Sequence, residues 1–321
     1  MTYTSGGLIQ ATDYNGFVST TAGANVNDVW ATGASDKGWG QSALATVSAT
    51  NTVTATQWAS LVNTIASMGS QTGTTITART APTAGTTISV LAAVNTDLTN
   101  VTTNRNNAAA VGTQYTGWTG TNSKTATTSG ASWTITFTNT VTFASAAAAR
   151  YFFNAGGLIK LDTAKSSTGN TCDPEWNDLA TTLCGDIYFS GVAASHTIAG
   201  VAYTGTTKIG GTGTPTTLST ATGYYALTPG AAATIIYKQF ADTAPYTANF
   251  IQTSVALDAT SAILTFTTLW SASDGDPITG GTASSGATPG TAPTTICTYF
   301  PPSTTYLSNS WGTPTVAATT A

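Results

Sequence analysis

The spacing of apolar residues changes once along this chain, and that change does most to limit the folds open to it. After an irregular first ~50 residues they recur at helical intervals from Thr54 to about residue 105; from Trp133 they alternate with polar residues. Trp58, Leu61, Val62 and Ile65 fall at i, i+3, i+4 and i+7, one face of an amphipathic helix that Thr54 opens and Gly69 closes. Ile88, Leu91, Val94, Leu98 and Val101 repeat that spacing over a second helix from Thr86 to Arg105, with Asp97, threonines and asparagines on its other face. A shorter helix follows Thr12 or Asp13. From Trp133 the period is two: Trp133, Ile135 and Phe137 alternate with threonines, and Val141 and Phe143 resume after Asn139-Thr140. That is a strand, or a bent strand pair, with one buried face.

Turn and cap residues divide the remainder. Ser145 caps a helix over Ala146 to Ala155 that Gly156-Gly157 stops, and Leu158 to Asp162 reads as the next strand. Asp173 and Pro174 suit the cap and first position of a helix ending near Gly185. Strands are then expected at Asp186–Phe189, Thr197–Tyr203, Tyr224–Leu227, Thr234–Phe240, Asn249–Leu257 and Ile263–Trp270. Residues 271–294 read as a loop, and the tail from Ile296 docks on a neighbour or frays. The expected fold class is α+β: an N-terminal helical and irregular region over 1–125, then a β-rich, mainly antiparallel, sandwich-like region over 126–321 with one short inserted helix.

Composition decides what covers these elements. Hydrophobic residues reach 41%, enough for a core, while charged residues stop at 7% against about 25% in ordinary globular proteins. Low hydrophobicity with high net charge would mean disorder, and neither is present. The exterior is therefore made of Thr, Ser, Asn, Ala and Gly. Such side chains lose little entropy on burial, and a net charge of -4 gives weak repulsion between copies. No basic cluster exists to neutralise phosphates, so nucleic acid is not an expected partner. No apolar run reaches the ~20 residues of a membrane span, and the start of the chain lacks the pattern of a secretory signal, which points to synthesis in a cytoplasm. Cys172, Cys184 and Cys297 make no disulfide framework; reduced thiols are the favoured state, with Cys172–Cys184 the local pair if a bridge forms.

Residues with catalytic chemistry are sparse. His196 is the single histidine, which leaves no multi-histidine metal site and suits a satisfied core or surface residue. Glu175 and Asp178 are three apart, but acids near a helix start are explained by capping. Asp274-Gly275-Asp276 lacks the other positions of a calcium loop, and no glycine pair is followed by the Lys-Ser/Thr of a phosphate loop. Tyr224, Tyr225, Tyr237, Tyr246, Tyr299, Trp270 and Trp311 are of the type that stacks on sugars, and more often such residues fill a core or an interface. No enzyme activity, catalytic residue, metal or cofactor is expected.

Three passages carry a resemblance. The first is LIQATDYNGFV with GWGQ at Gly38–Gln41 and VTATQWASLVNTI at Val53–Ile65; the second is TNTVTFASAAAARYFFNAGGLIKLD at Thr138–Asp162; the third is PPSTTYLSNSWGTPTV at Pro301–Val316. Together they are similar to virion structural proteins of tailed phages, the tail- and fibre-type proteins of phages of cyanobacteria and marine bacteria. The resemblance implies a protein of the neck–tail–fibre apparatus, localised to the virion, partnered by copies of itself (a trimer ahead of a hexamer) and by neighbouring virion proteins. The alternative is a receptor- or glycan-binding module at a fibre tip or on the capsid. No G-X-Y repeat or sustained heptad appears, so a compact block is expected rather than a thin shaft. Trp58, Arg150, Tyr151, Phe152, Phe153 and Trp311 are the candidate packing and interface residues. Three consecutive aromatics on one helix present apolar surface on more than one side, against the chain's own sheet or against another subunit.

Overall fold

Thr54 opens the longest helix by a reciprocal cap: its hydroxyl accepts from Gln57 N at 3.3 Å, and Gln57 Oε1 accepts from Thr54 N at 2.8 Å. A computed structural model describes residues 10–19, 24–85, 91–121, 132–166, 173–244, 246–272 and 292–320. Four helices occupy the N-terminal part: α1 (Ala11–Val18), α2 (Val26–Trp30), α3 (Ala55–Thr72) and α4 (Leu91–Thr103). Trp58 is buried edge-on to Tyr14 and Phe17, and Leu61, Ile65 and Met68 share a core with Val94, Leu98 and Val101. The first turn of the expected second helix, with Ile88, lies outside the described residues.

Two expectations for this region are corrected. Gly69 does not end α3; Gly73 does, in the left-handed conformation (φ 65°) that favours glycine. Gly69 is instead a point of close approach, since an added Cβ would lie 2.9 Å from Ile76 Cγ2. Asp97 is not on a solvated face. It is 3% exposed and ion-paired with the buried Arg79, and it accepts from Thr77 N at 3.2 Å. The extended segment after α3 returns across α4, so its amide and guanidinium need an acceptor there.

Thirteen strands are described: β1 (Tyr115–Thr121), β2 (Trp133–Thr142), β3 (Leu158–Ala164), β4 (Asp186–Phe189), β5 (His196–Ile198), β6 (Val201–Tyr203), β7 (Thr206–Ile209), β8 (Thr217–Leu218), β9 (Thr234–Phe240), β10 (Phe250–Leu257), β11 (Ile263–Ala272), β12 (Thr294–Phe300) and β13 (Thr315–Thr320). They form a five-stranded sheet in the order β1-β12-β3-β4-β7, a six-stranded sheet in the order β13-β2-β11-β10-β9-β8, and the β5–β6 hairpin. Every strand pairing is antiparallel. The inner faces of the two large sheets meet where Phe189 of β4 packs edge-on to Phe266 of β11, 5.3 Å between ring centroids. Tyr237 OH of β9 donates to Cys184 O at 3.0 Å, and Trp176 stacks on Trp270 and lies tilted against Trp133. The protein is thus α+β with an antiparallel sandwich.

Helix α5 (Ala146–Asn154) closes one part of that sandwich. Ser145 Oγ accepts from Ala148 N at 3.1 Å, as a serine cap should, and Gly156 turns the chain out with φ 99°. Phe152 meets Phe143 and Tyr299, while Phe153 meets Phe189 and stacks on Tyr224, so the consecutive aromatics serve both sheets.

Further corrections concern the β-rich part. β2 is one ten-residue strand that keeps its phase, with Asn139 fully buried on the inner face. Thr197–Tyr203 is not one strand but the β5–β6 hairpin, turned by Ala199 and Gly200 at positive φ. Tyr224–Leu227 is not a strand but a 3-10 turn over Tyr224–Ala226, held by Tyr224 N donating to Ser190 O and Tyr224 OH donating to Ser261 O. The helix α6 (Asp173–Asn177) passes into a π-helical turn over Asp178–Leu183. The segment beyond Ile296 is not a loose tail: β12 lies between β1 and β3, and β13 pairs with β2. Because β1 precedes residue 125, the sandwich also draws on the N-terminal region. Of the loop expected at 271–294, residues 273–291 lie outside the described residues. Cys184 and Cys297 are buried free thiols, pushed up by burial to about 11 and about 12; Cys172 lies outside the described residues.

Candidate interaction surface

The three passages that carry the resemblance are far apart in sequence and converge in space. Arg150 Nη2 donates to Thr32 O, Gly33 O and Lys37 O, and Arg150 Nε to Ser35 O, so one guanidinium gathers the loop after α2. Asn154 Nδ2 donates to Ser35 O, Lys37 O and Gly38 O, its Oδ1 accepts from Tyr225 OH at 2.7 Å, and its backbone carbonyl accepts from Trp39 Nε1 at 3.0 Å. Gln41 Nε2 donates to Ser308 O, and its Oε1 accepts from Ser308 N. At Gly40 (φ 69°) an added Cβ would lie 2.4 Å from the Tyr151 ring, which explains the glycine between Trp39 and Gln41.

These contacts place the candidate packing residues. Trp58, Phe152, Phe153 and Trp311 are 1%, 0%, 4% and 2% exposed, so all four are spent inside their own chain. Arg150 and Tyr151 are half-buried and engaged with the N-terminal loop. The structure brings Arg150, Tyr151, Phe152 and Phe153 together with the GWGQ loop; Trp58 belongs to the helical core. Of the aromatics considered for stacking on sugars, Tyr224, Tyr237, Tyr299, Trp270 and Trp311 are buried. Among the described residues the exposed aromatics are Tyr115 and Tyr306, at 45% and 44%, and neither is one of those the sequence singled out.

Among the described residues a broad polar surface is the outer face of the six-stranded sheet. Strand alternation puts Thr134, Thr136, Thr138, Thr140 and Thr142 of β2 on it, and the registers set Ile263, Thr265, Thr267 and Leu269 of β11 beside them. β13 adds Thr315, Ala317 and Thr319, and β10 adds Gln252, Ser254 and Ala256. All of these side chains are uncharged and most are half-buried. The one charged side chain on this face of β9 and β10 is Lys238, whose Nζ lies 3.7 Å from the Phe250 ring centroid and 4.5 Å from that of Phe240. Hydroxyls and methyls alternate across four strands with no fixed charge to desolvate.

Elsewhere the residues with candidate chemistry are buried. His196 is 7% exposed with Nδ1 2.8 Å from Ala194 O, and burial lowers its pKa. Glu175 is 8% exposed; burial first, then the neighbouring Asp178 and Asp242, raise its pKa. Among the described residues no group of three or more His, Cys, Asp or Glu is placed to hold a metal ion, and no helix is long and apolar enough to cross a membrane. Asp274 and Asp276 lie outside the described residues. Comparison with protein-family models, with curated proteins and with solved structures finds no match.

Proposed function

We propose that this chain is a structural protein of a tailed-phage virion, part of the neck–tail–fibre apparatus, that assembles by packing against copies of itself and neighbouring virion proteins. The observation that carries this reading is the outer face of the six-stranded sheet: a wide, nearly uncharged array of threonine, serine, alanine and isoleucine. A surface used by a monomer in water normally carries mixed charge, which keeps copies apart. This one offers little electrostatic resistance to being covered and few long side chains to immobilise. The resemblance of the three converging passages to virion proteins supports the same reading. Their spacing along the chain is explained by the junction they build, and the interface role passes from Arg150–Phe153 to the sheet.

An interface of ~2,000 Å² or more is the size at which such a contact becomes permanent. Two measurements test the proposal. Labelling purified virions with an antibody to this chain should mark the neck, tail or fibre; label on the head shell alone, or none, defeats it. The mass of the purified protein in solution should be that of a closed oligomer, a trimer ahead of a hexamer, and Thr136→Arg or Thr267→Glu should shift it to the monomer without lowering the unfolding midpoint.

A further inference from the structure

A second surface has a different chemistry. Residues 111–113 run against Pro301–Pro302: Gly112 N donates to Pro301 O at 2.7 Å, and Val111 and Pro302 form an antiparallel bridge. Beside this contact Tyr115 and Tyr299 stack with ring centroids 4.7 Å apart and planes 25° apart. Tyr299 is 2% exposed and its hydroxyl donates to Pro314 O at 3.1 Å, so it is a fixed support, while Tyr115 is 45% exposed. The two tyrosines line a groove of about 260 Å³ together with Thr113, Thr304, Asn309 and Thr313. No lining residue is charged. The side-chain polar atoms of those last four residues make no hydrogen bond to another described residue.

We propose that this groove binds a neutral pyranose ring of a glycan, with the Tyr115–Tyr299 stack as its platform and the Asn309 amide and threonine hydroxyls as readers of the ring hydroxyls. The face of an aromatic ring is electron-rich, and the axial C–H bonds of a pyranose present the matching positive edge. A tyrosine already stacked on an immobile partner loses little freedom when a ligand covers it. A sugar ring pairs donors and acceptors on adjacent carbons, and hydroxyls and a primary amide can answer both roles. The absence of fixed charge gives acidic sugars and phosphates no counter-ion. The volume lies below the ~300 Å³ at which sites for drug-sized ligands begin, which suits a single ring of a longer chain. Proline-rich peptides also dock on aromatic-lined grooves, but their prolines lack amide donors and would leave the groove's acceptors without partners. The site stands independently of the architectural reading: either holds if the other fails.

The test is saturation-transfer NMR on the full chain with the methyl glycosides of glucose, galactose and mannose, at ~10 mM so that a site with a Kd of about 1 mM is filled. Transfer to the ring C–H protons of at least one glycoside is expected. Tyr115→Ala should weaken it at least ~10-fold, about the loss of 1.4 kcal/mol. Tyr115→Phe should keep it, and Asn309→Ala, a change at an exposed residue, should weaken it. No transfer from any glycoside overturns the proposal. So does binding that neither Tyr115→Ala nor Asn309→Ala alters, or binding of a proline-rich peptide with none of sugar.

Discussion

The side-chain amide of Gln41 is paired with the backbone of Ser308 as one strand residue pairs with another: Gln41 Nε2 donates to Ser308 O at 2.9 Å and Ser308 N donates to Gln41 Oε1 at 2.8 Å. A third bond, from Gln41 Nε2 to Trp39 O at 3.0 Å, fixes the amide's orientation. Gln41→Ala takes the partner from Ser308 N and one of two donors from each carbonyl, since Ser308 O keeps Ser310 N at 2.8 Å and Trp39 O keeps Ser310 Oγ at 2.5 Å, and should cost about 1 kcal/mol. Gln41→Glu keeps the acceptor and loses the donor, and should cost about as much at neutral pH. Both are read as lowered midpoints in denaturant; an unchanged midpoint for Gln41→Ala would show that the pair contributes nothing.

Asn154 offers a sharper substitution. Its Nδ2 faces three carbonyl oxygens, of Ser35, Lys37 and Gly38. Asn154→Asp is nearly isosteric but sets a carboxylate against those oxygens in a buried place, and should destabilise by about 3 kcal/mol. Hydrogen exchange should show the amides of residues 32–41 losing protection before those of the sheets.

The buried pair Arg79–Asp97 should behave asymmetrically. Arg79→Ala or Asp97→Ala leaves one uncompensated charge under the N-terminal helices and should cost about 3–5 kcal/mol. The double change Arg79→Met with Asp97→Leu should recover most of that loss, because two apolar side chains need no partner. Urea unfolding of the three variants separates the outcomes; a loss in the double equal to the sum of the two single losses would refute the coupling.

The β10–β11 turn supplies a pH dependence. Slight desolvation pushes the Asp258 carboxyl up, but hydrogen bonds from Thr260, Ile263 and Ala262 outweigh it and bring the pKa to about 2. A carboxyl depressed on folding contributes stability that is complete above its ordinary value of 3.8 and is lost as pH falls toward about 2. Stability measured from pH 5 to pH 2 should fall more in the native protein than in Asp258→Ala. Parallel curves would remove Asp258 from the acid transition.

Much of the architecture was legible because period and caps are local. The Thr54 capping box, the Ser145 cap and the phase of β2 each follow from residues a few positions apart. What escaped depends on distant partners. Asp97 looks solvated until the segment carrying Arg79 folds across it, and Tyr224 looks like a strand residue until Ser190 and Ser261 bind it as a turn. β13 has the threonine and alanine content of a frayed tail, and only β2 beside it makes a strand. Phe152 and Phe153 are apolar enough for a core or an interface, and only the fold shows that they pack within their own chain, against Phe143, Tyr299, Phe189 and Tyr224. The threonine array was visible as alternation in β2, but its breadth required the registers of β11 and β13.

The Gln41–Ser308 pair joins positions 267 residues apart, and this bears on how the molecule is made. At 5–20 residues per second, a ribosome adds Ser308 roughly 10 to 50 s after Gln41. Through that interval the GWGQ loop has no seat for its glutamine, and β2 lacks one of its two neighbours in the sheet. A nascent chain stalled before residue 300 should therefore expose its first helices to protease, and a chaperone that shields them until the last strands emerge would raise the yield.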